Sequence, residues 1–373
     1  MKKSKKQVLV GLSGGVDSAV AAKILQKKFK VRGVFLRIFK SDERGFFGKI
    51  RGAARFFFEK KRIKKLAKKL KIEIEFFDAR EIFRQKILKK FLREIQNFRV
   101  LNPCVFCNAE IKFQILNEIA RRKNCEKIAT GHYAKVNGDR LFRARDLQKD
   151  QSLFLSRVSK KILQKLILPL ENFSKKEIFK IAKRENLTKF LPRKQSQNLC
   201  FLSQNFTNFL RENLPPKFFK IGNFIDLKSK KILGKHRGVL SIFVGQRARI
   251  GGLEKPLFVQ KICSKKNEIL VGENCELFCK KIFLENLKIF REFQNGEKIF
   301  AQLRHRGKLH FGKIFAEKIS KKNSKTKKSA AKIIFENVIR AINAGQTVAI
   351  FSRENEVIAS GIFKSANFAN CEN

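Results

Sequence analysis

The 373-residue chain has no tryptophan, one tyrosine, one methionine, six prolines and four histidines. Acid is also scarce. Only 32 Asp+Glu stand against 85 Lys+Arg, a formal net charge of +53. A field of that sign and size attracts polyanions and makes their binding fast and salt-sensitive, so nucleic acid is the first candidate partner and an anionic membrane surface the second. Biased base composition, which raises Lys, Phe, Ile and Asn together, accounts for part of the excess; the 39 phenylalanines fit that bias. Long apolar runs are missing too. None reaches the roughly 18 residues that span a bilayer, so no membrane-spanning segment is expected and no membrane partner is assigned. Met1–Lys6 is basic, but Val8–Leu12 runs into a glycine turn and not a cleavage site. No signal peptide is expected, and the chain reads as cytoplasmic. In a long chain of this kind the eight cysteines favour metal or redox chemistry over a disulfide framework.

What is present falls into two textures. Over the first 200 residues, short β-rich runs (Gln7–Leu12, Val31–Leu36, Ile72–Phe77, Lys127–Thr130) alternate with helical patterns. Ile63, Leu66, Ala67 and Leu70 fall at helical spacing, and Phe83, Ile87, Leu88, Phe91, Leu92 and Ile95 repeat it. Strand–helix alternation predicts an α/β fold with a parallel sheet, whose ligands bind beyond the carboxyl ends of the strands. After about Phe206 the pattern changes. Pro215-Pro216 reads as a linker, and Val239–Val244, Leu257–Ile262, Ile299–Leu303, Lys313–Ala316 and Thr347–Phe351 read as strands of small β units. Lys318–Lys332, rich in lysine and serine, reads as a mobile loop.

The strand Gln7–Leu12 feeds Ser13-Gly14-Gly15-Val16-Asp17-Ser18 and then an amphipathic helix through Lys27. Two glycines let backbone N–H groups approach a phosphate, and the helix N-terminus adds positive potential. Ser13 and Ser18 can donate hydroxyl hydrogen bonds. Asp17 repels a bare phosphate but suits Mg²⁺ carried on one. The loop lacks the lysine of an ordinary P-loop.

A second constellation is Asn102-Pro103-Cys104-Val105-Phe106-Cys107-Asn108, ahead of a helix containing Glu110, Ile111, Lys112 and Phe113. A thiol at a helix N-terminus has a lowered pKa, so Cys107 is expected to be a thiolate. Cys200 lies far along the chain, in Gln197-Asn198-Leu199-Cys200-Phe201. Two separated thiols beside a nucleotide loop suit a chemistry in which one carries sulfur and the other attacks or resolves. The Cys-x-x-Cys spacing leaves an alternative open, an iron–sulfur cluster on Cys104, Cys107 and Cys200. No other metal ligand set is assigned, and Cys263, Cys275 and Cys279 are given no role.

These strings carry a resemblance. The loop Gly11-Leu12-Ser13-Gly14-Gly15-Val16-Asp17-Ser18 resembles the PP-loop of the ATP pyrophosphatases, which cleave ATP between its α and β phosphates. From Gln7 to about Ile362 the chain looks like the tRNA-specific 2-thiouridylases. That likeness implies an adenine nucleotide alpha hydrolase-like domain over residues 1–205, a central β-rich tRNA-binding domain over 206–283 and a C-terminal β-barrel over 284–373. It implies ATP with Mg²⁺ as cofactors, and two partners: tRNA, and a persulfide-delivering sulfur carrier or cysteine desulfurase. Cys107 matches the attacking position and Cys200 the persulfide-carrying one. Leu36 and Gly131 match nucleotide contacts. Asn102, Pro103, Cys104, Lys149, Asp150 and Gln151 match positions around the target base, and His132, Arg304, His305 and Gln346 match tRNA contacts. Cys104 stands where many members have an Asp, and Leu153 where a Tyr is usual. The implied activity is ATP-dependent 2-thiolation of the wobble uridine. Another PP-loop tRNA-modifying or amidating synthetase, and an RNA-binding protein with a vestigial nucleotide site, are the competing readings.

Overall fold

In the computed structural model the apolar run Val8–Val10 is buried, as a central strand covered on both faces requires. The structure describes residues 5–38, 45–190, 199–202, 205–317, 329–340 and 342–368. The elements run β1 (Gln7–Gly11), α1 (Val16–Leu25), β2 (Lys30–Arg37), α2 (Gly45–Leu70), β3 (Glu73–Asp78), α3 (Arg80–Phe83), α4 (Lys89–Gln96), α5 (Pro103–Cys107), α6 (Phe113–Arg122), β4 (Lys127–Ala129), β5 (Lys135–Asn137), β6 (Arg140–Phe142), α7 (Ser152–Leu155), α8 (Lys160–Leu163), β7 (Leu166–Ile167) and α9 (Lys175–Arg184). Contacts gather residues 1–88, 103–203 and 355–357 into one compact unit, and 89–102, 204–354 and 358–373 into a second.

In the first unit a five-stranded sheet has the order β3-β2-β1-β4-β7, with every pair parallel. The chain steps outward from β1 to β2 and β3, then returns to β4 on the other side of β1. The carboxyl ends of β1 and β4 therefore flank the topological switch point, where such sheets open a crevice. The helix after β1 departs from expectation. It ends at Leu25, two residues short, and Val16, Ser18–Ala22 and Leu25 are all buried. Small alanines let α1 pack between the sheet and α9, so it shows no broad solvent face. α9 starts in a capping box, with Ser174 accepting from Glu177 N at 3.3 Å and Glu177 accepting from Ser174 N at 2.6 Å. The expected helix over Phe83–Ile95 is interrupted by a π turn at Arg84–Leu88, and a second π turn, Asn108–Lys112, joins α5 to α6. Such turns are frequent at functional sites.

The second unit continues with α10 (Phe206–Asn213), β8 (Gly222–Asp226), β9 (Ile232–His236), β10 (Phe258–Cys263), β11 (Glu268–Gly272), β12 (Phe278–Ile289), β13 (Glu297–Gln302), β14 (Leu309–Glu317), β15 (Ala330–Arg340), β16 (Thr347–Phe351) and β17 (Val357–Phe368). Strands β10-β11-β8-β9 form a four-stranded sheet, and β12-β15-β14-β13-β16-β17 close into a barrel. Ile282, Leu284, Ile299, Ile314, Ile333 and Ile350 fill its interior. The chain is thus a parallel-sheet α/β region followed by β-rich structure, as expected. Residue 284, where a third domain was expected to begin, lies inside β12. Three local readings change. Val239–Val244 is not a strand; Val239–Ser241 form a 3-10 turn, and Val239 and Leu240 are apolar because they are buried there. Pro215-Pro216 opens a 3-10 turn, Pro216–Phe219, where a linker was expected. Of Lys318–Lys332, residues 318–328 lie outside the described residues, while Ala330–Lys332 already belong to β15, with Ala331 buried in the barrel.

Candidate functional site

The loop after β1 and the loop after β4 meet at the switch point. Gly14 has φ +77°, a left-handed conformation that favours glycine. Ser18 Oγ donates to Gly15 O at 3.0 Å and lies 3.1 Å from Ser13 Oγ, which folds the turn onto the start of α1. Leu12 N donates to Val34 O at 2.8 Å, tying the turn to β2. Gly131 is fixed by a different constraint. A Cβ there would stand 2.6 Å from Asp17 C and 2.7 Å from Ser18 N, so only glycine lets the two loops approach so closely.

Three side chains hold this loop from outside the cavity lining, and none of them is picked out by the sequence motifs. Lys175, the first residue of α9, donates to both Asp17 carboxylate oxygens at 2.6 and 2.7 Å. Tyr133 OH donates to Asp17 Oδ1 at 2.7 Å. Arg62 on α2 donates from Nη1 to Gly14 O at 2.7 Å and to Phe190 O at 2.9 Å. Asp17 is thus not a bare carboxylate awaiting a cation. It is held by an ammonium and a phenol, and burial first, the neighbouring Asp17 carboxyl next, pushes the Tyr133 hydroxyl far above the usual range.

The loops open on a cavity of about 380 Å³, lined on one side by Gly11, Leu12, Ser13, Asp17, Ser18, Val34, Leu36 and Gly131, and on the other by Pro103, Cys104, Cys107, Lys112 and Cys200. Phe83, Asn108, Thr130, His132, Gln151, Phe154 and Phe201 are also in its wall. Cys200 reaches it because Phe201, 1% exposed, packs its ring 5.6 Å from that of Phe83 at the end of α3. Leu202 N donates to Leu199 O at 2.9 Å and turns the chain there. Gln197 and Asn198, singled out before Cys200, lie outside the described residues.

The expected thiolate is corrected. Cys107 is not at a helix N-terminus; it closes α5, a turn inside a helical run that starts at Pro103. Burial pushes its thiol up to about 12, with Lys112 pulling down and Cys200 and Cys104 pushing up. Cys104 is raised to about 11, chiefly by burial and next by Cys200, against Lys112. None of these thiols is in a disulfide. Cys104, Cys107 and Cys200, the alternative iron–sulfur ligands, line the same cavity, and among the described residues no three His, Cys, Asp or Glu side chains are grouped closely enough to hold a metal ion.

The remaining expected residues divide. Leu36, Pro103, His132 and Gln151 line the cavity, whereas Asn102, Gly14, Gly15, Val16, Lys149 and Asp150 do not. Asp150 is 3% exposed, and its carboxylate accepts from Ala144 N (2.9 Å), Ser152 Oγ (2.7 Å), Ser152 N (3.3 Å) and Arg143 Nε (3.4 Å). It builds the 144–152 loop, with no oxygen left to face a ligand. Gln151 accepts from Tyr133 N at 3.1 Å through Oε1. His132 Nδ1 is 2.8 Å from Thr130 Oγ1, and enclosure, with the Lys112 charge, holds its pKa well below the usual histidine value. Asn108 Nδ2 donates to Phe154 O at 3.1 Å, while its buried Oδ1 has no partner among the described residues. In the second unit, Arg304 and His305 sit in the turn between β13 and β14, and Gln346 in the turn before β16. Antiparallel pairing of Gln302 with Ala349 brings these turns to one end of the barrel.

The parallel sheet with a phosphate-type loop at its switch point places the first unit among HUP-class nucleotide-binding folds. The family model described as tRNA methyl transferase HUP domain matches residues 6–204, and the tRNA methyl transferase PRC-barrel domain matches residues 207–273. The chain belongs to the family of the tRNA-specific 2-thiouridylases. It is 33% identical to the tRNA-specific 2-thiouridylase MnmA of Clostridium beijerinckii, covering 97% of this chain and 99% of that one. It is 35% identical to MnmA 2 of Fusobacterium nucleatum over 84% of this chain and 90% of the relative. Among solved structures, the U34-tRNA thiolase NcsA of Methanococcus maripaludis, with its 4Fe–4S cluster, is similar over 56% of this chain and 64% of that one, at 21% identity and a TM-score of 0.34. That likeness is too distant to bear on the ligands of this chain.

Proposed function

We propose that this chain catalyses ATP-dependent 2-thiolation of the wobble uridine of tRNA. The observation that carries the reading is the convergence, in one cavity of one unit, of a phosphate-type loop and three thiols from two distant segments. Family membership supports the same activity. A methyl transferase reading, which the name of the family model invites, leaves the thiols without a role.

The reaction is derived from this chain's own groups. Mg-ATP binds as substrate on the loop Gly11–Ser18, with backbone N–H groups toward the phosphates. Lys175 neutralises Asp17, so the acid does not repel the phosphates. The uridine leaves its stack to enter the cavity. Its C2 oxygen attacks the α phosphorus, the bond to the bridging oxygen breaks, and pyrophosphate leaves. Cys200, loaded by a sulfur carrier or cysteine desulfurase, presents a persulfide. The Cys107 thiol loses its proton and attacks Cys200 Sγ, breaking the bond between that atom and the outer sulfur. A Cys107–Cys200 disulfide forms and hydrosulfide leaves; hydrosulfide attacks C2 and expels AMP. An external thiol reductant returns the disulfide to two thiols. Lys112, the cation in the cavity wall, favours ionisation of Cys107.

The test is incubation of the protein with ATP, a persulfide source and unmodified tRNA, followed by mass analysis of the nucleosides. Expected are 2-thiouridine and stoichiometric AMP, both absent without ATP. Cys107→Ser and Cys200→Ser, made singly, each abolish thiolation while ATP binding persists. Full activity in either variant overturns the mechanism.

A further inference from the structure

Helix α2 buries one stripe and leaves another bare. Ile63, Leu66 and Leu70 pack into the core of the first unit, joined by Phe56, whose ring carries the Arg37 guanidinium 4.2 Å from its centroid. On the opposite side Phe57 and Phe58 are 61% and 68% exposed, with ring centroids 5.8 Å apart and planes at 78°. Ile50, one turn of helix and more before them, is 52% exposed. At 100° per residue Phe57, Phe58, Lys61, Lys64, Lys65 and Lys68 share this exposed arc, and the lysines are exposed as well. Glu59 is the helix's single acid, and it lies outside the arc.

Two bare rings on a helix that has already buried its core stripe call for an occupant. The chemistry on the same arc says which. A membrane-surface helix keeps a continuous apolar face and confines lysine to the other side. Here the lysines continue the line of the rings, as in surfaces that stack bases on aromatic faces and neutralise the phosphates beyond them. The helix also lies beside the site, since Arg62 holds the Gly14 carbonyl of the phosphate loop. We infer that the exposed arc of α2 is an RNA-docking surface, on which Phe57 and Phe58 stack unpaired bases of the tRNA and Lys61, Lys64, Lys65 and Lys68 contact its phosphates. The inference rests on the proposed function for the identity of the RNA.

The test uses the full chain and unmodified tRNA. The double variant Phe57→Ala, Phe58→Ala is expected to weaken tRNA binding roughly tenfold or more, as loss of base–aromatic stacking does, with the salt dependence unchanged. Lys61→Gln, Lys65→Gln is expected to lower the slope of log affinity against log salt by about 1 to 2. Unchanged ATP affinity and thermal midpoint in both variants establish that the fold is intact. Affinity for tRNA within twofold of wild type in the ring variant overturns the inference. So does loss of binding to phosphatidylserine vesicles with tRNA binding intact, which assigns the face to a membrane. Ring-dependent tRNA binding by a wild-type protein that forms no 2-thiouridine overturns the proposed activity and leaves this surface standing.

Discussion

On the loop wall of the cavity, charge is already matched. Asp17 has Lys175 and Tyr133, the Gly14 carbonyl has Arg62, and the serine hydroxyls are engaged. On the thiol wall it is not. Half-buried Cys104 and buried Cys107 have one cation, Lys112, beside them in the cavity wall among the described residues, and both thiols are pushed well above the ordinary range. A nucleotide therefore meets donors already in place, the arrangement that lowers reorganisation on binding. A sulfur-bearing group meets neutral thiols. The contrast has a physical use: neutral thiols survive oxidants and electrophiles that attack thiolates. It also orders events, with the nucleotide side ready before the sulfur side.

The largest effect is expected where the loop wall is disarmed. Lys175→Met leaves Asp17 as an uncompensated negative charge facing the phosphates. Loss of thiolation by about 10²–10³-fold is expected, the range seen when one preorganised electrostatic partner is removed. Asp17→Asn combined with Lys175→Met is expected to recover part of that loss, since repulsion leaves with the acid. Measured as kcat/KM for ATP at saturating tRNA, a single-variant loss below fivefold would mean that the wall is not built on this pair.

The thiol wall is sharpened through pH. Cys107 holds its proton to about 12, so the thiolate fraction of the resting protein rises with pH from 7 to 10 without a plateau. Its alkylation rate by iodoacetamide is expected to climb close to tenfold per pH unit over that span. Removing the cation in Lys112→Met moves the pKa further up, and the rate at pH 8 is expected to fall by roughly three- to tenfold. A plateau near pH 7 would show a preformed thiolate and erase the difference between the walls. The stability sign is also set. With the folded-state pKa above the unfolded one, the protonated thiol's contribution is fully present below the unfolded pKa, near 9.0, and is lost as pH rises toward about 12.

The parallel sheet was legible because Gln7–Leu12, Val31–Leu36 and Ile72–Phe77 are unbroken β-rich runs spaced by helical periodicity. The phosphate-type loop was legible because its glycines and hydroxyls are contiguous. Lys175 and Arg62 were not. Each is one of many lysines and arginines, and only the fold brings residue 175 or 62 to the loop. Excess cation hides the few that are placed. The thiolate expectation failed for a related reason. The local rule puts Cys107 near a helix start, but the start is Pro103, and desolvation by the packed cavity outweighs a terminal dipole. Asp150, which the resemblance set near the target base, is taken up by backbone and serine donors that lie in loops the sequence does not show to be adjacent. Val239–Val244 shows that an apolar β-branched run reports burial before it reports extension.

The smallest effect tests how the loop wall is anchored. Arg62 Nη1 serves two carbonyls at once, Gly14 in the phosphate loop and Phe190 at the end of a 3-10 turn ten residues before Cys200. A Cβ at Gly14 would come within 2.8 Å of Arg62 Nη2, so the guanidinium covers the glycine directly. Arg62→Lys keeps the charge but loses the planar guanidinium, with its longer reach, whose Nη1 serves both acceptors. The loop is then held at one of its two points. KM for ATP is expected to rise about three- to tenfold, about the net worth of one ordinary hydrogen bond, with kcat within twofold. Arg62→Ala is expected to raise KM further and to leave alkylation of Cys107 at pH 8 unchanged, because the two walls are set by separate groups. Joint loss of ATP affinity and Cys107 reactivity in Arg62→Lys would break that separation and make the loop and the thiols one unit.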